Sequence, residues 1–273
     1  MTRPKKRLGQ HFLTDPGILG RIADAVGAGA GDTVLEVGPG PGGLTAQLAA
    51  RAGRVVAIEK DRDLAAALTG RWPNVTIEAA DALDADWHAL AGVPKAGTGP
   101  LAGWLIAGNI PYNITSPLVE KALEPPRPAR IVYLVQREVA DRIAAGPGTP
   151  EYGALSVGVQ VTAEVESLFR VAAGSFRPRP QVDSAVLRLR PLVDPLVPDP
   201  ARASFRRMVV GLFGFRRKQL LRGLRELTGW PAEAAAAAVA AAGLDERARP
   251  ETLTPAEFVT LHAALVDGGW LAR

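Results

Sequence analysis

The sequence predicts an α/β fold, with a mostly parallel sheet covered by helices on both faces, followed by a small all-α domain. Three observations carry that expectation. Short apolar segments rich in Val and Ile recur through the first two-thirds of the 273-residue chain. Helical stretches separate them, and after a run of prolines the pattern turns wholly helical.

The predicted strands are "TVLEVG" (33–38), "RVVAIE" (54–59), "VTIEAAD" (75–81), "WLIAGN" (104–109) and "RIVYLVQ" (130–136). Between them "LTAQLAARA", "RDLAAALTGR" and "SPLVEKAL" have helical spacing. Strands alternating with helices indicate βαβ units, hence a parallel sheet. Residues 167–176 and 184–192 are close enough in sequence to add an antiparallel pair. "PLVDPLVPDP" (191–200) breaks all periodicity and reads as a linker. Beyond it, the Ala-rich "EAAAAAVAAAGL" reads as helix rather than disorder. The predicted organisation is a catalytic domain at 1–192, a proline-rich linker at 193–201 and a helical domain at 202–273.

The chain is long enough for one large domain and a small one with a real core. A hydrophobic fraction of 47% and a charged fraction of 22% are those of a globular protein. No charge-free apolar stretch approaches the roughly 18 residues of a membrane span. The basic start has no apolar segment of the secretory kind. Cys is absent, which excludes disulfides, thiolate metal sites and Cys nucleophiles. A cytoplasmic protein is the simplest reading.

Net charge is only +4, but its distribution is uneven. Residues 202–225 hold eight basic side chains and no acid, and the first fourteen hold Arg3, Lys5, Lys6 and Arg7, again with no acid. Two acid-free basic segments on a nearly balanced chain point to an anionic macromolecular partner.

"LEVGPGPGGLT" follows the first predicted strand and opens a helix. Its glycines let backbone amides approach a ligand at the positive end of that helix. Gly38, Gly40 and Gly43 satisfy G-x-G-x-x-G, and Glu59 closes the second strand about twenty residues on, where an acid binds a ribose diol. The loop fits either NAD or S-adenosylmethionine. Asp81, at the end of the third strand, can accept an adenine amino group. Ligands of open α/β sheets sit at the carboxyl ends of strands, and four successive ends here carry Gly38, Glu59, Asp81 and Asn109. The histidines, His11, His88 and His262, lie outside those ends and read as surface or loop residues, with His11 the exception. A hydride-transfer enzyme would want a general acid such as His, Lys or Tyr placed for a carbonyl substrate.

The fourth end, "GNIPYNIT" (108–115), suits amine chemistry. The Asn109 side-chain oxygen and the Ile110 carbonyl can each accept a hydrogen from an exocyclic adenine amine. That favours a pyramidal nitrogen whose lone pair points at a methyl donor. Pro111 fixes φ and brings no competing amide, and Tyr112 can stack on the base. Holding a near-attack geometry is the main lever for such a displacement, and no metal or covalent intermediate is required.

Together "LGQHFL", "LEVGPGPGGLT", "IEKD", "DAL", "GNIPYNIT", "PEYGALSV", "FRPRPQVDSAVLRL" and "FRRKQL" resemble, in order, the bacterial small-subunit (16S) ribosomal RNA adenine N6-dimethyltransferases. The resemblance runs from Arg7 to about Leu265. It implies a Rossmann-like S-adenosylmethionine-dependent methyltransferase sheet that dimethylates two adjacent adenines near the 3′ end of 16S rRNA during small-subunit biogenesis. It carries cofactor contacts to His11, Leu13, Gly38, Glu59, Asp81 and Asn109, with Gly40 in the same glycine loop. Asn109, Ile110, Pro111 and Tyr112 map onto the catalytic tetrad, and Phe176 onto an aromatic that helps sandwich the base. Arg177 and Arg179 then lie beside the base pocket, and Arg216, Arg217 and Lys218 on the first long helix of the second domain, as RNA-binding residues. The implied partner is the immature small subunit, for a monomer without metal or membrane. Related alternatives are a large-subunit methylase of the macrolide-resistance type and a non-catalytic nucleic-acid-binding factor on the same fold. A dehydrogenase is more distant.

Overall fold

The computed structural model describes Lys5 and residues 10–94 and 100–270. The predicted basic positions Arg3, Lys6 and Arg7, and part of the loop at 91–103, lie outside the described residues. The chain divides into two compact units, Met1–Asp141 with Glu164–Val193, and Arg142–Ala163 with Asp194–Arg273.

The first unit holds a seven-stranded sheet. Its strands are β2 (Thr33–Val37), β3 (Arg54–Ile58), β4 (Val75–Glu78), β5 (Pro100–Asn109), β6 (Arg127–Gln136), β7 (Ala163–Val171) and β9 (Ser184–Pro191), in the order β4-β3-β2-β5-β6-β9-β7. The first five are parallel, and β9 runs antiparallel to β6. β2 and β3 are buried along nearly their whole length, as expected of parallel strands covered on both faces. From β2 the chain steps outward through β3 and β4, then returns to β5 on the other side. The switch in strand order therefore lies between β2 and β5, where open sheets bind ligands.

The α1 helix (Pro16–Val26) covers one face through Leu19, Ile22, Ala23 and Val26, packed with Leu44 and Leu48 of α2 (Gly43–Ala49). Its ends are set locally. The Asp15 side chain accepts from the amides of Gly17 and Ile18, Pro16 starts the helix, and Gly27 closes it in the left-handed region. Just before it lies β1 (Phe12–Leu13), which pairs antiparallel with β8 (Phe176–Arg177) as a separate two-stranded ribbon.

Three expectations about organisation change. The segment at 167–176 is not one strand: β7 stops at Val171, a 3₁₀ turn follows at Ala173–Ser175, and β8 leaves to pair with β1. Residues 142–163, expected in the catalytic domain, belong to the helical unit. Tyr152, Val157 and Val161 are buried with the C-terminal helices, because their apolar side chains have no strand to cover and the Tyr152 hydroxyl donates to the Leu253 carbonyl. The proline-rich stretch at 193–201 is not a free linker. Val197 is buried in the same core, and the Leu196 amide donates to the Val161 carbonyl.

After α3 (Arg62–Leu68), α4 (Trp87–Ala91), α5 (Thr115–Ala122) and α6 (Arg137–Ala144), the second unit is helical, with α7 (Ala154–Gln160), α8 (Arg202–Phe213), α9 (Leu220–Thr228), α10 (Ala232–Ala241) and α11 (Pro255–Asp267). The Ala run folds as α10, burying Ala235, Ala238 and Val239. Thr254 and Glu257 form a capping box at the start of α11. No helix among the described residues is long and apolar enough to cross a membrane.

Candidate active site

At the switch point β2 and β5 approach so closely that a Cβ on Gly108 would lie 2.5 Å from the Val37 carbonyl oxygen. Only glycine fits there, so Gly108 lets Asn109 end β5 beside Gly38. Beyond these two strand ends opens a cavity of about 160 Å³. Its wall includes every cofactor position expected from sequence: His11, Leu13, Gly38, Gly40, Glu59, Asp81 and Asn109. Ile110, Pro111 and Tyr112 line it as well.

The glycine loop is built from left-handed residues, Gly38 at φ 70°, Gly40 at 58° and Gly42 at 88°, which L side chains rarely adopt. Its amides turn toward the acid of the next strand end. Glu59 Oε2 accepts from the Gly40 amide at 3.0 Å, and Oε1 from the Asp61 amide at 2.8 Å. Glu59 is buried, which raises its pKa, while those backbone hydrogen bonds pull it back. Asp81 behaves oppositely. Lys60 pairs with its Oδ2 and the Leu83 amide donates to Oδ1, and the Lys60 contact leads in holding the carboxyl below its usual range.

The segment before α1 lies over the loop. Phe12 sits so close to Gly40 that a Cβ there would come within 2.9 Å of its ring. Lys5 Nζ reaches Asp61 Oδ1 at 2.6 Å and Asp63 Oδ2 at 2.7 Å, and Gln10 Nε2 donates to Asp61 Oδ2 at 3.1 Å. Burial works against the Asp61 charge, but the bonds from Lys5 and Gln10 win and lower its pKa. Asn109 Nδ2 donates to the His11 carbonyl at 2.9 Å. That uses one of the two N–H donors of the amide, and Oδ1 is its acceptor.

Ile110 is fully buried and anchors the tetrad in the core. Pro111, at φ −60° and ψ 134°, leads into a 3₁₀ turn over Tyr112–Ile114. The Tyr112 hydroxyl lies 2.7 Å from Ser184 Oγ. One face of its ring is stacked by His11, with centroids 5.7 Å apart and planes 20° from parallel. His11 Nδ1 donates to the Pro178 carbonyl at 2.9 Å.

Other expected residues stand elsewhere. Phe176 is fully buried among Leu13, Leu19 and Ile22 and does not line the cavity, because β8 turns Phe176 inward and Arg177 outward. It is a core residue here, and the aromatic beside Tyr112 is His11. Arg177 and Arg179 are exposed. Arg216, Arg217 and Lys218 are not on a helix: α8 ends at Phe213, and the three lie on the turn before α9. Arg216 Nε is bonded to Glu251 Oε2 at 2.9 Å, Lys218 Nζ lies 4.9 Å from the Phe215 ring centre, and Arg217 is exposed. His262 is not a surface residue but is buried beside Ser204, whereas His88 is half-buried with its Nε2 on the Pro126 carbonyl.

Sequence reasoning missed Glu36, Lys60, Gly108 and Ser184. Glu36 was findable, as a lone carboxylate inside an apolar strand. It lines the cavity, it is 1% exposed, and its Oε2 has no hydrogen-bond partner. The carboxyls of Glu36, Glu59 and Asp81 suit a ligand that carries a ribose diol, an amino-bearing base and a positive charge. S-adenosylmethionine has all three.

A family model of ribosomal RNA adenine dimethylases matches residues 1–266. A protein of Geobacter sulfurreducens is 43% identical over 98% of this chain and 97% of its own, and one of Anaeromyxobacter dehalogenans 46% identical over 96% and 94%. Both are named ribosomal RNA small subunit methyltransferase A. Among solved structures, the 23S rRNA methyltransferase ErmE is similar with TM-score 0.68 and 30% identity, covering 93% of this chain and 99% of that one. A dimethyladenosine transferase from Plasmodium falciparum shares the fold with TM-score 0.81 and 24% identity, covering 95% and 98%. Cleft and relatives together define an S-adenosylmethionine-dependent methyltransferase on a Rossmann-like sheet. The chain belongs to the ribosomal RNA adenine dimethylase family.

Glu36 generates a test of the site's electrostatics. Burial, with the Glu59 charge acting in the same direction, pushes its carboxyl up to about 8. Between the usual carboxylate range and that value, the folded protein holds a proton that the unfolded chain has released, so stability falls as pH rises through the window. The Glu36→Gln variant mimics the protonated form and removes this loss. In unfolding measurements between about pH 5 and 8, the wild type should lose on the order of a few kcal/mol relative to Glu36→Gln. Parallel pH profiles would mean that Glu36 is ionised throughout.

Proposed function

We propose that the protein N6-dimethylates two adjacent adenines near the 3′ end of 16S rRNA, in the assembling small ribosomal subunit. The observation that carries the reading is the state of Asn109. With Nδ2 donating to the His11 carbonyl, its other polar atom, Oδ1, is an acceptor at the strand end where the cleft meets Tyr112. An acceptor there suits an amine, and the side-chain oxygen and the Ile110 carbonyl hold its two hydrogens. The nitrogen lone pair is then aimed along the line of methyl transfer. When bound, S-adenosylmethionine supplies an electrophilic methyl group. Glu59 and Asp81 hold its ribose and adenine, and Tyr112 holds the target base by stacking after it leaves its own stack. Each transfer exchanges one N–H for N–CH3 and releases that proton to solvent, so in the second methylation only one of the two acceptors would hold the remaining hydrogen.

The small-subunit reading is favoured over the large-subunit one by identity. Relatives named for the small subunit are 40–46% identical, whereas the 23S enzyme ErmE is 30% identical. The intact tetrad and cleft favour a live enzyme over a binding factor on the same fold. We assign RNA binding to the exposed Arg177 and Arg179 and to the basic turn at 216–218, and we read the protein as a cytoplasmic monomer.

The direct test is methyl transfer to free small subunits, large subunits and naked rRNA, read by nucleoside mass spectrometry. Dimethyladenosine should appear in small-subunit RNA, and its appearance only in large-subunit RNA would overturn the reading. The phosphate-binding role is tested separately. Reversing Arg217 and Lys218 to Glu should weaken RNA binding. It should also flatten the salt dependence by about 0.7 in log–log slope for every phosphate set free on single strands. Unchanged RNA affinity would remove the turn from the interface. Arg216 is left out because it holds Glu251.

A further inference from the structure

We propose that Ser184 is a positioning residue for methyl transfer, which acts by fixing the Tyr112 ring on which the target base stacks. The inference rests on the reading of Tyr112 as the base platform and adds the residue that sets it. Ser184 is fully buried, with its Oγ 2.7 Å from the Tyr112 hydroxyl. Its own place is rigid. It opens β9 opposite Gln136 of β6, and the preceding Asp183 is held on both sides, its carbonyl accepting from the Arg137 amide and its Oδ1 from the Ala173 amide.

The Tyr112 hydroxyl lies on the rotation axis of its ring, so a bond to it fixes where the tip of the ring sits. The stacked His11 then fixes the plane. Tyr112 follows a proline in a short 3₁₀ turn, and without the Ser184 anchor its tip is free to swing toward the cavity. The pairing also occupies the hydroxyl, so the base meets the ring face rather than a polar group. A small misplacement of the base is costly to an in-line displacement, because the amine must approach within a narrow range of distance and angle. Ser184 does not line the cavity, so its removal acts on the chemical step and not on cofactor affinity.

The experiment is a double-mutant cycle on Ser184→Ala and Tyr112→Phe in the full-length protein. It measures single-turnover methyl transfer to small subunits, and S-adenosylmethionine affinity by calorimetry. Each single variant should slow transfer by roughly 2- to 10-fold, the net worth of one buried hydrogen bond, with cofactor affinity unchanged. The double variant should be no slower than Tyr112→Phe alone. Losses that multiply, or a fall in cofactor affinity in Ser184→Ala, would overturn the proposal. A Tyr112→Ala arm separates the underlying reading: it should lose most turnover while cofactor binding persists. Full activity there would show that no base stacks on Tyr112, and both ideas would fall.

Discussion

The hydrogen bond from Asn109 Nδ2 to the His11 carbonyl joins two parts of the chain that are far apart in sequence, and the geometry of the cleft depends on it. On one side stands the end of β5, admitted beside β2 only because residue 108 is glycine. On the other stands the N-terminal segment, held by β1–β8 pairing and by Lys5 and Gln10 on Asp61. An amide side chain is the group that can do both jobs required here. Its nitrogen donates to the backbone, and its oxygen stays available to accept from an amine. A carboxylate would repel the His11 carbonyl, and an aliphatic side chain would do neither.

Around that bond three carboxyls line the cleft, and a fourth, Asp61, holds Lys5 and Gln10 beside it. Glu36 and Glu59 are raised by burial, whereas Asp61 and Asp81 are lowered by the lysines and amides they accept from. Glu36, pushed up to about 8, keeps one of these charges off the cleft at neutral pH. The division follows from ion pairing and not from depth: Asp61 is as buried as Glu59, but Asp61 and Asp81 pair with Lys5 and Lys60. A ligand with one positive centre and several donors finds acceptors without an excess of repelling charge.

Much of this is legible in the sequence. Strand ends announce themselves where an apolar run meets Gly, Glu, Asp or Asn, so Gly38, Glu59, Asp81 and Asn109 fall side by side before any coordinates. The ends of α1 carry local signals too, in Asp15, Pro16 and Gly27. Other features are not readable, because tertiary context decides them. Phe176 heads a motif next to the cleft, but side chains alternate along a strand, and register with Leu13 turns it inward. Residues 142–163 and Val197 join the helical unit through burial, which no local pattern announces. Ser184 has no signal of its own, since its partner is seventy-two residues away. Arg216 to Lys218 look helical from composition, but α8 ends at Phe213 and they lie on the turn that follows.

The central claim, that Asn109 both ties down the N-terminal segment and receives the amine, is tested most directly by single-turnover methyl transfer in Asn109→Ala. Cofactor affinity is measured alongside. Loss of an acceptor used in the transition state should slow transfer by on the order of 100-fold or more, comparable to deleting one oxyanion-hole donor. Cofactor binding should weaken much less. Transfer at near wild-type rate would contradict the account, because no amine could then depend on Asn109 for its geometry.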